Sequence, residues 1–198
     1  AEVTDIANAI YSYTDALMLS GETASGKYPL EAVKTMAAIA EQAEKDRNAM
    51  GEWEVPMNEN CSQREFLAHA AIDATRRIGV AGIITDSLTG ETVRHLAAFR
   101  GPNPVLAICY KEKTQRWLNL SYGVIPIHQK EQASAEYMFI AALRMLRQKG
   151  YITLDDKIAY LSGSFGLGNP TGTTLLEINQ VSQVFDKSYE FHLPQKEQ

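Results

Sequence analysis

The segment GETASGK at residues 21–27 has the residue types of a phosphate-binding loop. It matches the opening positions of the P-loop motif and lies between an apolar run and a predicted helix. Tyr28, however, stands where the motif needs a Ser or Thr hydroxyl for Mg²⁺. Glu22 also places a carboxylate among the backbone amides that would hold the phosphate. A P-loop NTPase is therefore the weakest of the functional alternatives.

Ser20 and Glu22 belong to the same segment, which we call the Ser20 turn (residues 20–26). They follow the apolar run 16–19, ALML, which is typical of a strand buried on both faces. In a (β/α)₈ barrel the carboxyl ends of such strands form the active-site face. The spacing leaves two interpretations open, a catalytic rim or a tight turn in which both side chains bond only to local backbone.

A second polar segment, TDSLTGET at residues 85–92, is called the Thr85 turn and opens a predicted helix. Hydroxyls and backbone amides at a helix N-terminus suit an anion. The candidate ligands are Thr85, Ser87, Gly90 and Thr92. Asp86 and Glu91 oppose this interpretation because an anion needs positive charge around it. An ordinary capped turn remains the alternative.

The third candidate is the glycine-rich loop at residues 162–174, which contributes Ser164 and Gly168. Its glycines allow the backbone to approach a ligand closely. It is not a dinucleotide-binding fingerprint, because Pro170 and a predicted strand follow where that motif requires a helix.

Composition excludes several classes of function. The net charge of −5 argues against a sequence-independent grip on nucleic acid, which needs clustered Lys and Arg. No apolar stretch approaches the roughly 18–20 residues of a membrane span. Cys61 and Cys109 lack metal-ligand spacing, so we expect two free thiols, a cytoplasmic location and no bound metal.

The elements that must position these segments form two groups. Residues 1–50 predict a helix, the strand 16–19 and a helix that starts near Pro29, with an apolar stripe. The residues of that stripe are Leu30, Val33, Met36, Ala37 and Ala40. A single strand leaves both its edges unpaired. We therefore expect further strands upstream.

After a linker at residues 51–61, helices and strands alternate over residues 62–198. Ser62 and Glu65 form a capping box that opens a helix with the apolar stripe Phe66, Ala70, Ala74 and Ile78. The predicted strands are 80–85, 105–110, 124–127, 157–162 and 174–181, and the later predicted helices are 90–100, 113–122 and 134–149. Such alternation predicts a mostly parallel sheet covered on both faces. The last two strands have no helix between them and are expected to form an antiparallel hairpin.

Three blocks of the first 33 residues carry a resemblance to a known family. AEVTDIANA at 1–9, DALMLSGETA at 15–24 and GKYPLEAV at 26–33 resemble the closing stretch of the pyruvate kinase barrel. One departure is Ser12-Tyr13, where the family usually has Asp-Gly. The rest of the chain is more loosely similar to the family's C-terminal domain. The implied fold class is α/β: an incomplete (β/α)₈ barrel piece followed by a three-layer α/β/α domain.

The resemblance implies that the parent enzyme transfers phosphate from phosphoenolpyruvate to ADP in glycolysis, using Mg²⁺ and K⁺. The family's catalytic lysine, metal ligands and substrate contacts would all precede Ala1. The chain alone is therefore expected to be inactive and to hold no cofactor. Ser20 and Glu22 would have supporting roles only. A stand-alone effector-binding module, without any catalytic role, is the alternative.

The resemblance also implies a phosphorylated effector at the Thr85 turn, helped by the later glycine-rich loop, and a homo-oligomer that is usually a tetramer. The loop lacks the Trp and Arg with which some members hold a sugar bisphosphate. Fructose 1,6-bisphosphate is accordingly not expected. A sugar monophosphate, AMP or no effector at all stay open.

Overall fold

Two units make up the chain, Ala1–Val55 and Pro56–Gln198, here called the helical unit and the α/β unit. The computed structural model describes residues 2–50, 55–130, 135–163 and 173–190. Among the helices in these ranges, none combines the length and the apolar composition that a membrane span requires.

The helical unit consists of α1 (Glu2–Tyr11), the short α2 (Gly21–Ala24) and α3 (Pro29–Ala49). Pro29 is the first residue of α3, as the sequence predicts, because proline suits the first turn of a helix. Helix α1 packs on α3 and buries Ile10 and Ala43.

The predicted strand at residues 16–19 is wrong for this chain. The segment has no strand pairing, and the Met18 side chain is 87% exposed. A strand is held by ladder hydrogen bonds to neighbouring strands, and residues 2–50 contain no strand that could supply them. The predicted apolar stripe on α3 is not buried either, because residues 2–50 form no sheet for it to pack against. Leu30 and Val33 are exposed.

In the turn after α1, Tyr13 has a backbone conformation that normally favours glycine. Tyr13 has a φ of 61°, in the left-handed region, at a position where the resembling family usually has glycine. That conformation costs a non-glycine residue about 1–2 kcal/mol. The Arg47 guanidinium lies 5.3 Å from the centre of the Tyr13 ring, and its Nη1 donates to the Ile10 carbonyl at 3.4 Å. This cation–π contact offsets part of the cost.

The α/β unit contains one five-stranded sheet in the order β3-β2-β1-β4-β5. Its strands are β1 Gly82–Ser87, β2 Val105–Cys109, β3 Val124–His128, β4 Lys157–Gly163 and β5 Thr173–Gln180. Strand β1 pairs in parallel with β2 and β4, and β2 pairs in parallel with β3. Strands β4 and β5 are antiparallel. The predicted mostly parallel sheet and its terminal hairpin are confirmed.

Five helices of the described chain accompany this sheet. They are α4 Gln63–Arg77, α5 Glu91–Ala98, α6 Glu112–Leu118, α7 Ala135–Gln148 and α8 Val181–Glu190. Side chains of a strand alternate between the two faces. Ile84 of β1 packs in one core cluster with Leu143 of α7 and Val181 of α8, while α4 and α5 also contact β1. The predicted three-layer arrangement is confirmed.

Two predictions about helices of the α/β unit need correction. The capping box of Ser62 and Glu65 is present, but Phe66 and Ile78 of the predicted α4 stripe are half-exposed. The helix buries Ala74 as predicted, and it also buries Ala68, Ala71, Ile72 and Thr75. Helix α8 was not predicted. Strand β5 ends at Gln180, and the Val181 and Ser182 amides that follow donate to the carbonyls of Asp156 and Leu154, at 2.9 and 3.0 Å.

Candidate functional site

The Ser20 turn is closed by its own hydrogen bonds. The Thr23 and Ala24 amides donate to the Ser20 carbonyl, at 3.2 and 3.0 Å. The Ser25 and Gly26 amides donate to the Gly21 carbonyl, at 3.1 and 2.9 Å. These four amides are therefore already used by backbone oxygens.

The Glu22 carboxylate accepts from two further amides of this turn, those of Ser20 and Glu22. Its Oε2 accepts from the Ser20 amide at 2.9 Å. Hydrogen bonds from its own amide and from that of Ser20 lower the pKa of Glu22, so the carboxylate is ionised at neutral pH. The side chain also lines a cavity of about 500 Å³ between α1, α3 and the segment 17–19.

This geometry opposes the P-loop interpretation. A P-loop needs open amides that point at a phosphate, but here the amides bond to carbonyls and to a carboxylate. Gly26 is needed for closure rather than for a ligand, because a Cβ at this position would collide with the Glu22 carbonyl. Ser20 and Glu22 are in contact through the hydrogen bond from the Ser20 amide to the Glu22 carboxylate. This is the local bonding expected for a tight turn, one of the two interpretations that the sequence left open.

The Thr85 turn is also built from internal hydrogen bonds. The Gly90 amide donates to the Ser87 Oγ at 2.7 Å, and Gly90 has a φ of 85° as the residue before α5. Thr85 and Ser87 are both buried, so their hydroxyls face the protein interior. Thr92 is only partly buried, and its Oγ1 lies 2.6 Å from Oγ1 of Thr173. This bond ties the start of α5 to the first residue of β5.

Sequence reasoning treated Glu91 as an unbalanced negative charge and missed its partner. Arg64 of α4 forms a salt bridge with Glu91 through Nη1 and Oε1. A second contact joins the same two helices, since His95 Nδ1 lies 3.9 Å from Glu65 Oε1. The negative charge of Glu91 is therefore balanced by Arg64, which lies 27 residues earlier in the sequence and could not be recognised as its partner from local patterns. The contact between Thr92 and Thr173 was not predicted either, because these residues are also distant in the sequence.

Asp86 lies at the carboxyl end of β1 and faces the side of the sheet that carries Ile84. Burial raises the pKa of its carboxyl, and a hydrogen bond from the Ser162 hydroxyl opposes that rise. Asp86 Oδ1 is buried and has no hydrogen-bond partner in the described part of the chain. Burial therefore makes ionisation of Asp86, the second acid that the sequence places at this turn, less favourable than that of an exposed aspartate.

Ser164 and Gly168 lie outside the described residues. Within the described ranges no group of three or more His, Cys, Asp and Glu side chains could hold a metal ion. The described ranges therefore offer Mg²⁺ no cluster of three or more such side chains. Burial raises the pKa of the Cys109 thiol to about 11, which makes a reactive thiolate unavailable at neutral pH.

Comparison with known families identifies two consecutive domains. Residues 65–178, more than half of the chain, match the model described as pyruvate kinase, alpha/beta domain. Residues 1–33 match the model described as pyruvate kinase, barrel domain. These ranges contain the Thr85 turn and the Ser20 turn, respectively.

Individual relatives agree with the family models. The chain is 39% identical to pyruvate kinase from Borreliella burgdorferi over 183 residues, which cover 91% of this chain and 38% of the relative. It is 37% identical to the Clostridium acetobutylicum enzyme, over 88% of this chain and 37% of the relative. A solved pyruvate kinase from Cryptosporidium parvum superposes with a TM-score of 0.74 at 25% identity, over 91% of this chain and 36% of that one. The chain spans little more than a third of these proteins, and it belongs to the pyruvate kinase family.

Proposed function

We propose that this chain is the C-terminal part of a pyruvate kinase, and that it does not transfer phosphate by itself. The parent enzyme would convert phosphoenolpyruvate and ADP to pyruvate and ATP with Mg²⁺ and K⁺, in the cytoplasm and as a homo-oligomer. The supporting observation is that the barrel model matches over residues 1–33 only. Phosphoryl transfer depends on positioning and charge neutralisation by many groups around one site, so a small part of a barrel is insufficient.

Ser20 and Glu22 have a supporting role in this proposal. Glu22 is ionised and holds the Ser20 amide, so the pair fixes the shape of a turn rather than binding a substrate directly. In a complete barrel this turn would lie at the carboxyl end of a strand, on the face where barrel enzymes bind substrate. The pair would then orient the groups in front of it.

A coupled assay of residues 1–198 tests the inactivity. We expect no phosphoenolpyruvate-dependent formation of ATP, with or without Mg²⁺ and K⁺, because positioning groups outside this chain are required. The matched control is a full-length relative assayed at the same concentration, which must turn over. Turnover by residues 1–198 that survives repeated purification would refute the proposal.

We further propose that the Thr85 turn is the effector site of the α/β unit. Support comes from Thr92, whose partly buried hydroxyl stands at the start of α5, and from Arg64, which neutralises the charge of Glu91 there. The stand-alone binding module remains the second candidate function, because the α/β unit has a buried core of its own.

A thermal-shift titration with sulfate and with phosphorylated metabolites tests the effector site. We expect at least one anion to raise the unfolding temperature of the wild type but not that of Thr92→Val, which keeps the shape and loses the hydroxyl. Thr23→Val, in the helical unit, is the control and should respond like the wild type. If no anion shifts either protein, the Thr85 turn is only a capped turn.

A further inference from the structure

Trp117 of α6 is a large aromatic side chain that the core of the α/β unit does not enclose. The side chain is 48% exposed. Its position is nevertheless fixed, because the Arg94 guanidinium of α5 lies 4.7 Å from the ring centre. The ring also lies close to Gly90, since a Cβ built there would be 3.6 Å from Trp117 Cζ3. A fixed tryptophan that is half in water is preorganised for contact with another molecule.

Trp117 belongs to an exposed stripe of α6 and of the turn that follows it. Lys113, Trp117 and Leu120 are spaced at i, i+4 and i+7, which places them along one side of a helix. Leu120 is 62% exposed, and its amide donates to the Trp117 carbonyl at 3.2 Å, so the helical course continues as far as Leu120. A different side of α6 packs inward through Leu118, which is fully buried. We call Arg94, Lys113, Trp117 and Leu120 the Trp117 face.

The Trp117 face carries positive charge, although the net charge of the chain is −5. The nearest carboxylates along the two helices, Glu91 and Glu112, already form salt bridges with other arginines. Among the described residues, no carboxylate lies within salt-bridge distance of Arg94 or Lys113, and both side chains are exposed. Two cations without a counter-charge therefore flank an exposed apolar surface, and they favour a partner that is negatively charged.

We propose that the Trp117 face is a docking surface for an acidic peptide segment of a partner protein. One apolar side chain of the segment covers Trp117 and Leu120, and flanking Asp or Glu side chains pair with Arg94 and Lys113. Tryptophan and arginine are among the residues that most often dominate the binding energy of protein interfaces. Nucleic acid fits this face less well, because a grip on its backbone needs more cations than these two. The docking surface depends neither on phosphoryl transfer nor on an effector at the Thr85 turn.

A selection from random dodecapeptides displayed on phage tests the chemistry of the partner. The immobilised full chain is the bait, and Leu120→Glu, which adds a negative charge to an exposed position of the face, is the counter-selection bait. We expect the recovered sequences to combine one or two large apolar residues with several Asp or Glu. Recovered sequences that are basic or lack acidic residues overturn the proposal, and so does a selection that recovers no sequence preferring the wild type over Leu120→Glu.

Calorimetric titration with a recovered acidic peptide measures what single residues of the face contribute. Trp117→Ala should weaken binding by about 30-fold, the loss typical of a residue that dominates an interface. Arg94→Gln should weaken it by about tenfold at low salt. Added salt should reduce that difference, because the lost contact is electrostatic. Lys149→Gln and Ile78→Ala change an exposed cation and an exposed apolar side chain elsewhere in the unit, and both should bind like the wild type.

The fluorescence of Trp117 keeps the test decisive if Trp117→Ala or Arg94→Gln folds poorly. The chain has two tryptophans, so Trp53→Phe leaves Trp117 as the only one. The acidic peptide should change the emission of this variant in a saturable way. The same peptide with Asn and Gln in place of its acids should not. An unchanged emission, an equal response to the neutral peptide, or a stronger response to single-stranded RNA overturns the proposal.

Discussion

Leu143→Ala is expected to lower the free energy of unfolding of the α/β unit by about 3 kcal/mol. Leu143 of α7 is fully buried and belongs to the core cluster that joins α7 and α8 to the sheet. Its neighbours in that cluster include Ile84 of β1 and Leu106 of β2. Removing three carbon atoms there loses apolar burial and leaves a cavity that a packed sheet cannot fill. Urea unfolding, followed by amide signals of the sheet, measures the loss.

Leu120→Ala is the matched control for this prediction. It removes the same atoms from a side chain that is 62% exposed. The change should alter the free energy of unfolding by less than about 0.5 kcal/mol. Equal losses in the two variants would mean that the cluster around Leu143 is not the core of the unit.

The α/β unit could be predicted from sequence because each of its signals is local. Strands such as β2, Val105–Cys109, are short apolar runs between turns, and they are buried along their whole length. The absence of a helical pattern between β4 and β5 was sufficient to predict their antiparallel pairing. Local signals also placed the N-terminus of α4, since Ser62 and Glu65 form the capping box within one helical turn.

Predictions that depended on partners were less successful. The run 16–19 has a strand's composition, but composition cannot supply the neighbouring strands that make it one. On α4 the apolar residues surround much of the helix, so periodicity alone did not select the face that contacts α5 and β5. Phe66 was assigned to the core and is half-exposed, whereas Ala68 and Ala71 are fully buried.

In the candidate sites, too, local features could be predicted from the sequence, whereas contacts between distant residues could not. The hydroxyls of the Thr85 turn are visible in the sequence, but the group that bonds to Thr92 lies 81 residues further along the chain. The Arg64 that pairs with Glu91 comes from a different helix, and only the fold brings the two together. A charge judged from the local sequence can therefore be misjudged, as Glu91 was, when its partner is distant.

Gly90→Ala is expected to destabilise the α/β unit by about 2–5 kcal/mol, because two costs add at this position. The backbone has a φ of 85°, where an L side chain is strained by about 1–2 kcal/mol. A Cβ would also lie 3.1 Å from Leu118 Cδ2, which overpacks a buried contact and costs about 1–3 kcal/mol. Urea unfolding measures the sum.

Gly123→Ala separates the two costs of the Gly90 change. Gly123 has a similar φ of 64°, but a Cβ there would meet nothing within 4 Å. Only the backbone strain should appear, so we expect a loss of about 1–2 kcal/mol. The difference between the variants then reports how tightly Leu118 of α6 packs against the Thr85 turn. If Gly90→Ala costs no more than Gly123→Ala, α6 yields to the added methyl group, and the turn that precedes α5 is not held by packing against α6.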